Sequence, residues 1–206
     1  MLAELKESVW RANIDLARSG LVILTFGNVS GIDRHRGIVA IKPSGVPYGS
    51  LKADDIVLVD LDGNLGEGWL NPSSDTPTHV ELYKAFPGIE GVAHAHSSYA
   101  TMFAQARREI PCFGTTHADQ FHGSVPLTRL LVEAEVVEAY ERNTGKIIVE
   151  RFAGLDPLEL PAVLVAGHGP FTWGRTAAEA VETAIVLEQV ARTAFGTMTL
   201  APRLGP

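Results

Sequence analysis

NVSGIDRHRGIVAIKP, residues 28–43, reads as two short strands folded back on each other at Arg34–Gly37. So short a turn joins antiparallel neighbours, whereas parallel strands need a long crossover. DIVLVDLDGNLGEG, residues 55–68, repeats the pattern, with Asp62-Gly63 as its turn signal. Two hairpins early in the chain point to a mainly antiparallel or mixed sheet rather than a doubly wound parallel one.

Helical segments surround these strands. Leu5, Val9, Ala12 and Leu16 recur at helical spacing, and Gly20 stands where that helix would stop. The apolar run LVILTF, residues 21–26, reads as a buried strand. A helix is expected near residues 78–86, ended by Pro87-Gly88, then a strand in GVAHAHS and a helix in SYATMFAQARR. Residues 110–128 are rich in Gly, Pro and Thr and read as an irregular loop. Residues 131–143 suggest a helix, and KIIVERF fits either a strand or a second helical segment. PAVLVAG is a strand, HGPFTWG a turn with a short strand, and a long helix closes the chain. The expected fold class is α/β, a three-layer α/β/α arrangement, with residues 1–206 forming one domain.

Composition narrows the function classes. The chain has 206 residues, 46% of them apolar and 20% charged, an ordinary globular balance. A net charge of −7 disfavours nucleic acid as a partner, since phosphate backbones are held by clustered cations. No stretch approaches the ~20 apolar residues of a membrane span, so no membrane partner is expected. One cysteine, Cys112, permits no internal disulfide, and the N-terminus lacks a secretory apolar core. A cytoplasmic setting is therefore expected.

His94-Ala95-His96 carries the strongest chemical signal. On a strand, residues i and i+2 share a face, so both imidazoles could reach one metal ion. A hydrogen-bonded pair at a strand end is the bland alternative. His168, in Gly167-His168-Gly169-Pro170, would complete a His₃ site with an open position for substrate. Asp75 could add an oxygen ligand, or cap the helix that follows it. Such donors suit one divalent ion, Zn²⁺ best, with Mn²⁺ or Co²⁺ also accommodated.

A second set is suited to a phosphate monoester: Gly27-Asn28, Lys42, Ser44-Gly45 and Ser73-Ser74 supply small donors, close backbone approach and one positive charge. Asp119, in GTTHAD, could act as a general base or be a solvated or capping carboxylate.

Taken in order, GNVS, KPSGV, PSSDTPTH, HAHS, GTTHAD and AGHGPFTWG resemble the motif series of the L-ribulose-5-phosphate 4-epimerases, within the class II aldolase/adducin-like superfamily. The resemblance implies that Asp75, His94, His96 and His168 bind the metal. It implies that Gly27, Asn28, Ser44, Gly45, Ser73 and Ser74, with Lys42, hold the substrate phosphate. It makes Asp119 an acid/base group. It further implies retro-aldol epimerisation of a small phosphorylated sugar, and a homo-oligomer, commonly a tetramer, with active sites at subunit interfaces. In that family a tyrosine and a histidine of a C-terminal extension enter a neighbour's site, and the tyrosine is the second acid/base group. No Tyr or His follows His168 in these 206 residues, which leaves His117, His122 and Tyr48 as candidate substitutes. The same superfamily contains aldolases that cleave deoxyhexulose 1-phosphates, and adducin-like scaffolds with little need of a metal. His₃ chemistry alone would also permit a zinc hydrolase.

Overall fold

The computed structural model describes residues 2–66 and 70–205. Its strands are β1 (Asn28–Asp33), β2 (Ile38–Ile41), β3 (Val57–Asp60), β4 (Gly91–His94), β5 (Ala162–Leu164) and β6 (Pro170–Gly174). They form one sheet in the order β3-β2-β1-β4-β6-β5, and every neighbouring pair is antiparallel. The helices are α1 (Leu2–Arg18), α2 (Thr76–Ala85), α3 (Ser98–Gln105), α4 (Thr115–Ala118), α5 (Glu133–Arg151) and α6 (Ala177–Leu200). Among the described residues, no helix is long and apolar enough to cross a membrane.

Strand alternation sorts the core into two layers. Val29, Ala40, Leu58 and Ala93 face α1 and the first half of α6, where they meet Val9, Leu16, Ala180 and Val181. Ile32, Val39, Val57, Val59 and Val92 face the other way, onto Val80, Leu82 and Tyr83 of α2 and Ile147 and Ile148 of α5. This is the expected α/β/α sandwich. Asn13 ties the first helix to the sheet. Pairing of β1 with β2 begins only at Ser30, and the Asn13 side chain bonds both the N–H and the C=O of Val29 at 2.9 Å. That satisfies backbone groups whose burial would otherwise be costly.

The hairpin at Arg34–Gly37 forms as expected, with Asp33 opposite Ile38. The second hairpin is reduced to β3 and a single bridge between Val59 and Leu65; Glu67 and Gly68 of its return arm, and Trp69, lie outside the described residues. LVILTF departs from expectation. Leu21 is buried, but Ile23, Leu24 and Phe26 are 59%, 81% and 58% exposed, and no strand forms there. Leu24 has a left-handed φ of 54° and Phe26 N–H bonds back to Ile23 O, so the run turns instead of extending a ladder. Gly27 accounts for this. Its φ is +91° and a Cβ would lie 2.9 Å from His94 O, so β1 starts abruptly after a backbone bend only glycine tolerates. KIIVERF is helical and belongs to α5, whose regular course is broken at Ala139 (φ −165°, ψ 76°).

Candidate metal centre

Three elements end at the same edge of the sheet. Cross-strand register places Asn28, the first residue of β1, opposite His94, the last of β4, and His94 opposite Phe171 of β6. His94 therefore points to the α2/α5 side and stacks on Phe171 at 4.1 Å and 17°. β4 stops at His94, so His96 lies just beyond the strand rather than within it. The chain stays extended enough to keep the two rings adjacent. His168 sits in the tight β5–β6 turn, closed by Val165 N–H to Gly169 O and His168 N–H to Val165 O. Gly167, at φ +75°, makes that turn possible.

The three imidazoles form a near-equilateral triangle, with ring centroids 4.8–4.9 Å apart. Each offers a nitrogen within 4.8 Å of the others. His94 Nδ1 lies 2.8 Å from Pro170 O, which makes Nδ1–H the donor and leaves Nε2 its lone pair. That Nε2 faces His96 Nε2 at 3.1 Å. His168 Nδ1 is buried without a partner. Burial first, then the neighbouring imidazoles, hold His168 down at about 3, and the same causes lower His96. Three imidazoles with converging nitrogens fit a divalent cation.

Asp75 precedes α2 but makes no side-chain capping bond. Its Oδ2 instead accepts from Asn28 Nδ2 at 2.6 Å. Burial pushes its carboxyl up, yet His94, His79, the Asn28 amide and His168 together hold it below the usual range. The carboxylate stands beside the imidazole triangle, outside the tight set of three nitrogens.

One cavity of about 400 Å³ joins these groups. It is lined by Asp75, His94, His96 and His168, and also by Gly27, Asn28, Lys42, Ser44, Gly45, Ser73 and Ser74. Two loops carry the latter set: Ser73 N–H bonds Lys42 O at 3.0 Å and Ser44 N–H bonds Asn71 O at 2.9 Å. Lys42 is only 2% exposed and has no carboxylate partner among the described residues. Its Nζ donates to Pro43 O and lies 4.7 Å above the Tyr48 ring. Burial lowers it to about 8. A buried ammonium with no carboxylate partner, beside small hydroxyls and the Asn28 carboxamide, is chemically suited to an anion.

Asp119 is not brought to this cavity. It is exposed at the end of α4 and is absent from the lining. None of the three candidate substitutes lines the cavity either, although Tyr48 stands just behind Lys42 and Gly27. His117 Nε2 is bound to Gly123 O, His122 pairs with Glu159 at the surface, and the Tyr48 hydroxyl donates to Gly27 O. Sequence reasoning missed Tyr140 and Glu141, which line the cavity, and Tyr140 lies 5.8 Å from His168, ring to ring. It also missed His79, wholly buried beneath the site with Nδ1 2.7 Å from Ser30 Oγ.

The family model "Class II Aldolase and Adducin N-terminal domain" matches residues 7–195. L-ribulose-5-phosphate 4-epimerase UlaF of Salmonella paratyphi B is 52% identical over 205 residues, covering 100% of this chain and 90% of that protein. The same enzyme of Salmonella typhi is 52% identical with the same coverage. Among solved structures, an L-fuculose 1-phosphate aldolase superposes with a TM-score of 0.79 at 27% identity, over 98% of this chain and 91% of that one. The L-fuculose-1-phosphate aldolase of Thermus thermophilus, at 24% identity and a TM-score of 0.75, shares the fold over 99% and 98% of the two chains.

Proposed function

The chain belongs to the class II aldolase and adducin N-terminal domain family, and from that premise we propose that it is a divalent-metal sugar-phosphate epimerase, interconverting L-ribulose 5-phosphate and D-xylulose 5-phosphate by inversion at carbon 4. One observation carries the reading: a three-histidine cluster and an unpaired buried lysine among small hydroxyls share a single cavity. A hydrolase needs the first but not the second.

His94, His96 and His168 would hold the ion, with Asp75 as an oxygen ligand or as the acceptor that keeps Asn28 in place. Zn²⁺ suits this donor set best. When bound, the ion supplies a Lewis acid beside the keto end of the sugar. The protein residues do the rest. Lys42, Ser44, Ser73 and Ser74, with the backbone at Gly27 and Gly45 and the Asn28 amide, bind the phosphate. Asp119 takes the proton of the C4 hydroxyl, and the C3–C4 bond breaks to an enediolate and glycolaldehyde phosphate. The phosphate cradle keeps the aldehyde in the cavity while it turns, and the bond re-forms on its other face.

Asp119 lies outside its own chain's cavity, so a second copy must present it. A homo-oligomer with sites at subunit interfaces, such as a tetramer, meets that need, and would cover the exposed run Ile23–Phe26 beside the cavity. We place the enzyme in the cytoplasm, where its sugar phosphates would be found. The test is incubation of metal-loaded protein with L-ribulose 5-phosphate, following D-xylulose 5-phosphate. Conversion supports the epimerase. Cleavage of a deoxyhexulose 1-phosphate to a triose phosphate, without that conversion, would make it an aldolase.

A further inference from the structure

We infer that the Tyr140 hydroxyl is a hydrogen-bond donor to the sugar, holding an oxygen of the phosphorylated ketose on the His168 side of the imidazole triangle. This rests on the reading of the cavity as a ketose-phosphate site, and adds a residue that touches the substrate.

The case begins with the break in α5. A regular helix through Ala139 would carry Tyr140 along its own surface. The break at Ala139 instead leaves Tyr140 and Glu141 on the cavity wall. Several contacts fix that conformation. Thr144 Oγ1 donates to Tyr140 O at 2.9 Å, Thr78 Oγ1 donates to Glu141 O at 2.6 Å, and Asn143 Nδ2 donates to Glu135 O at 2.8 Å. Each takes up a carbonyl around the interruption. Gly145 lets α5 pack close on α2, since a Cβ there would meet Glu81 Cβ at 2.6 Å. The segment is a built feature of the site and not a frayed helix end.

Of the four tyrosines, the other three are used or placed elsewhere. Tyr48 donates to Gly27 O, Tyr83 shares a 2.7 Å bond with Ser30, and Tyr99 packs against Phe195. Tyr140 is half-buried, lines the cavity and has no hydroxyl partner within the described chain. A phenol is donor and acceptor at once, and normally finds a partner when it is covered. In this cavity the missing partner is a sugar oxygen. Asp75 and Glu141 line the same cavity, but neither takes the hydroxyl hydrogen, which is left for the sugar. Its role is that of a hydrogen-bond donor that orients, and it requires no change of its charge.

The experiment is Tyr140→Phe in the metal-loaded protein, which keeps the ring against His168 and removes one oxygen. Metal content and melting temperature should equal those of the parent. kcat/KM for L-ribulose 5-phosphate should fall roughly 10–100-fold, the effect of losing a hydrogen bond to an oxygen that gains charge. Calorimetric binding of dihydroxyacetone phosphate, which the enzyme cannot epimerise, should weaken by roughly 3–10-fold, as for a neutral partner. Both values within twofold of the parent would overturn the inference and leave the epimerase reading standing. Loss of metal in the variant would also overturn it, by showing a role in seating His168. If the parent binds dihydroxyacetone phosphate without epimerising the pentulose, the epimerase reading falls, and the binding arm alone decides on Tyr140. A parent that binds neither compound overturns both.

Discussion

His94 Nε2 and His96 Nε2 face each other across 3.1 Å, the first on a ring whose Nδ1–H is committed to Pro170 O and the second on a ring whose pKa burial lowers. Two lone pairs so close repel unless a proton or a cation lies between them. The prediction is that chelation removes activity and lowers the melting temperature. A ligand present at 100 times its Kd stabilises by about 2.7 kcal/mol, or roughly 5–10 °C for a chain of this size. Zn²⁺ should restore both. His94→Ala should lose the metal and at least ~100-fold of the rate; elemental analysis showing a full complement of metal in that variant would remove His94 from the ligand set.

Acid should destabilise the metal-free protein in a defined window. Burial holds His79 and His168 near 3, whereas an exposed imidazole takes its proton near 6.5. Between those values the unfolded chain binds protons that the fold refuses. Stability is therefore full above pH 6.5 and falls as pH drops toward 3. His79→Gln, which keeps a polar group near Ser30, should flatten that slope in thermal melts from pH 7 to pH 4.5. An unchanged slope would mean that His79 is charged in the fold.

The legibility of this site in the sequence divides along physical lines. His94, His96 and His168 could be read because imidazoles at strand ends, one of them flanked by glycines, are chemically conspicuous wherever the sheet places them. The antiparallel sheet could be read from one turn, Arg34–Gly37. Tyr140 could not. Alanine is the best of helix formers, so nothing around Ala139 announces a break; it is imposed by Thr78 and Gly145 packing α5 onto α2. LVILTF misled for the opposite reason. An apolar run is consistent with burial by the chain or by a second copy, and its local pattern cannot tell the two apart. Asp119 has a similar ambiguity, for its loop was recognisable but local sequence does not say that the fold would leave this carboxylate exposed and off the cavity.

Lys42 should trade stability for binding. Burying an ammonium without a carboxylate partner costs the fold free energy below about pH 8, and that cost is relieved as pH rises toward the unfolded value near 10.5. Lys42→Met should therefore melt no lower than the parent, while KM for the phosphorylated sugar rises at least ~10-fold. In the parent, kcat/KM should decline above about pH 8 as the free enzyme loses this charge. A profile that stays flat well beyond that pH would take Lys42 out of the phosphate cradle. Ser74→Ala should act in the same direction through KM, with little change in kcat.

Two inactive variants should rescue each other if Asp119 works on a neighbour's substrate. Asp119→Asn keeps an intact imidazole cluster and loses the base; His94→Ala keeps the base and loses the cluster. When a site uses Asp119 of one copy and His94 of another, a mixed oligomer contains some sites with both native groups. Co-expression of the two variants with different affinity tags, followed by purification through both tags, should recover a substantial fraction of parental kcat per intact site. If both residues served the cavity of their own chain, no mixed assembly could hold a complete site, and the doubly tagged protein would stay as inactive as its parts. Asp119→Asn alone should retain its metal, because Asp119 does not line the cavity of its own chain, and its affinity for dihydroxyacetone phosphate, which has no C4 hydroxyl for a neighbour's base to meet. Activity in the mixed protein therefore reports on assembly; a melting temperature equal to the parent's for Asp119→Asn, and to the chelated parent's for His94→Ala, shows that neither failed for want of folding.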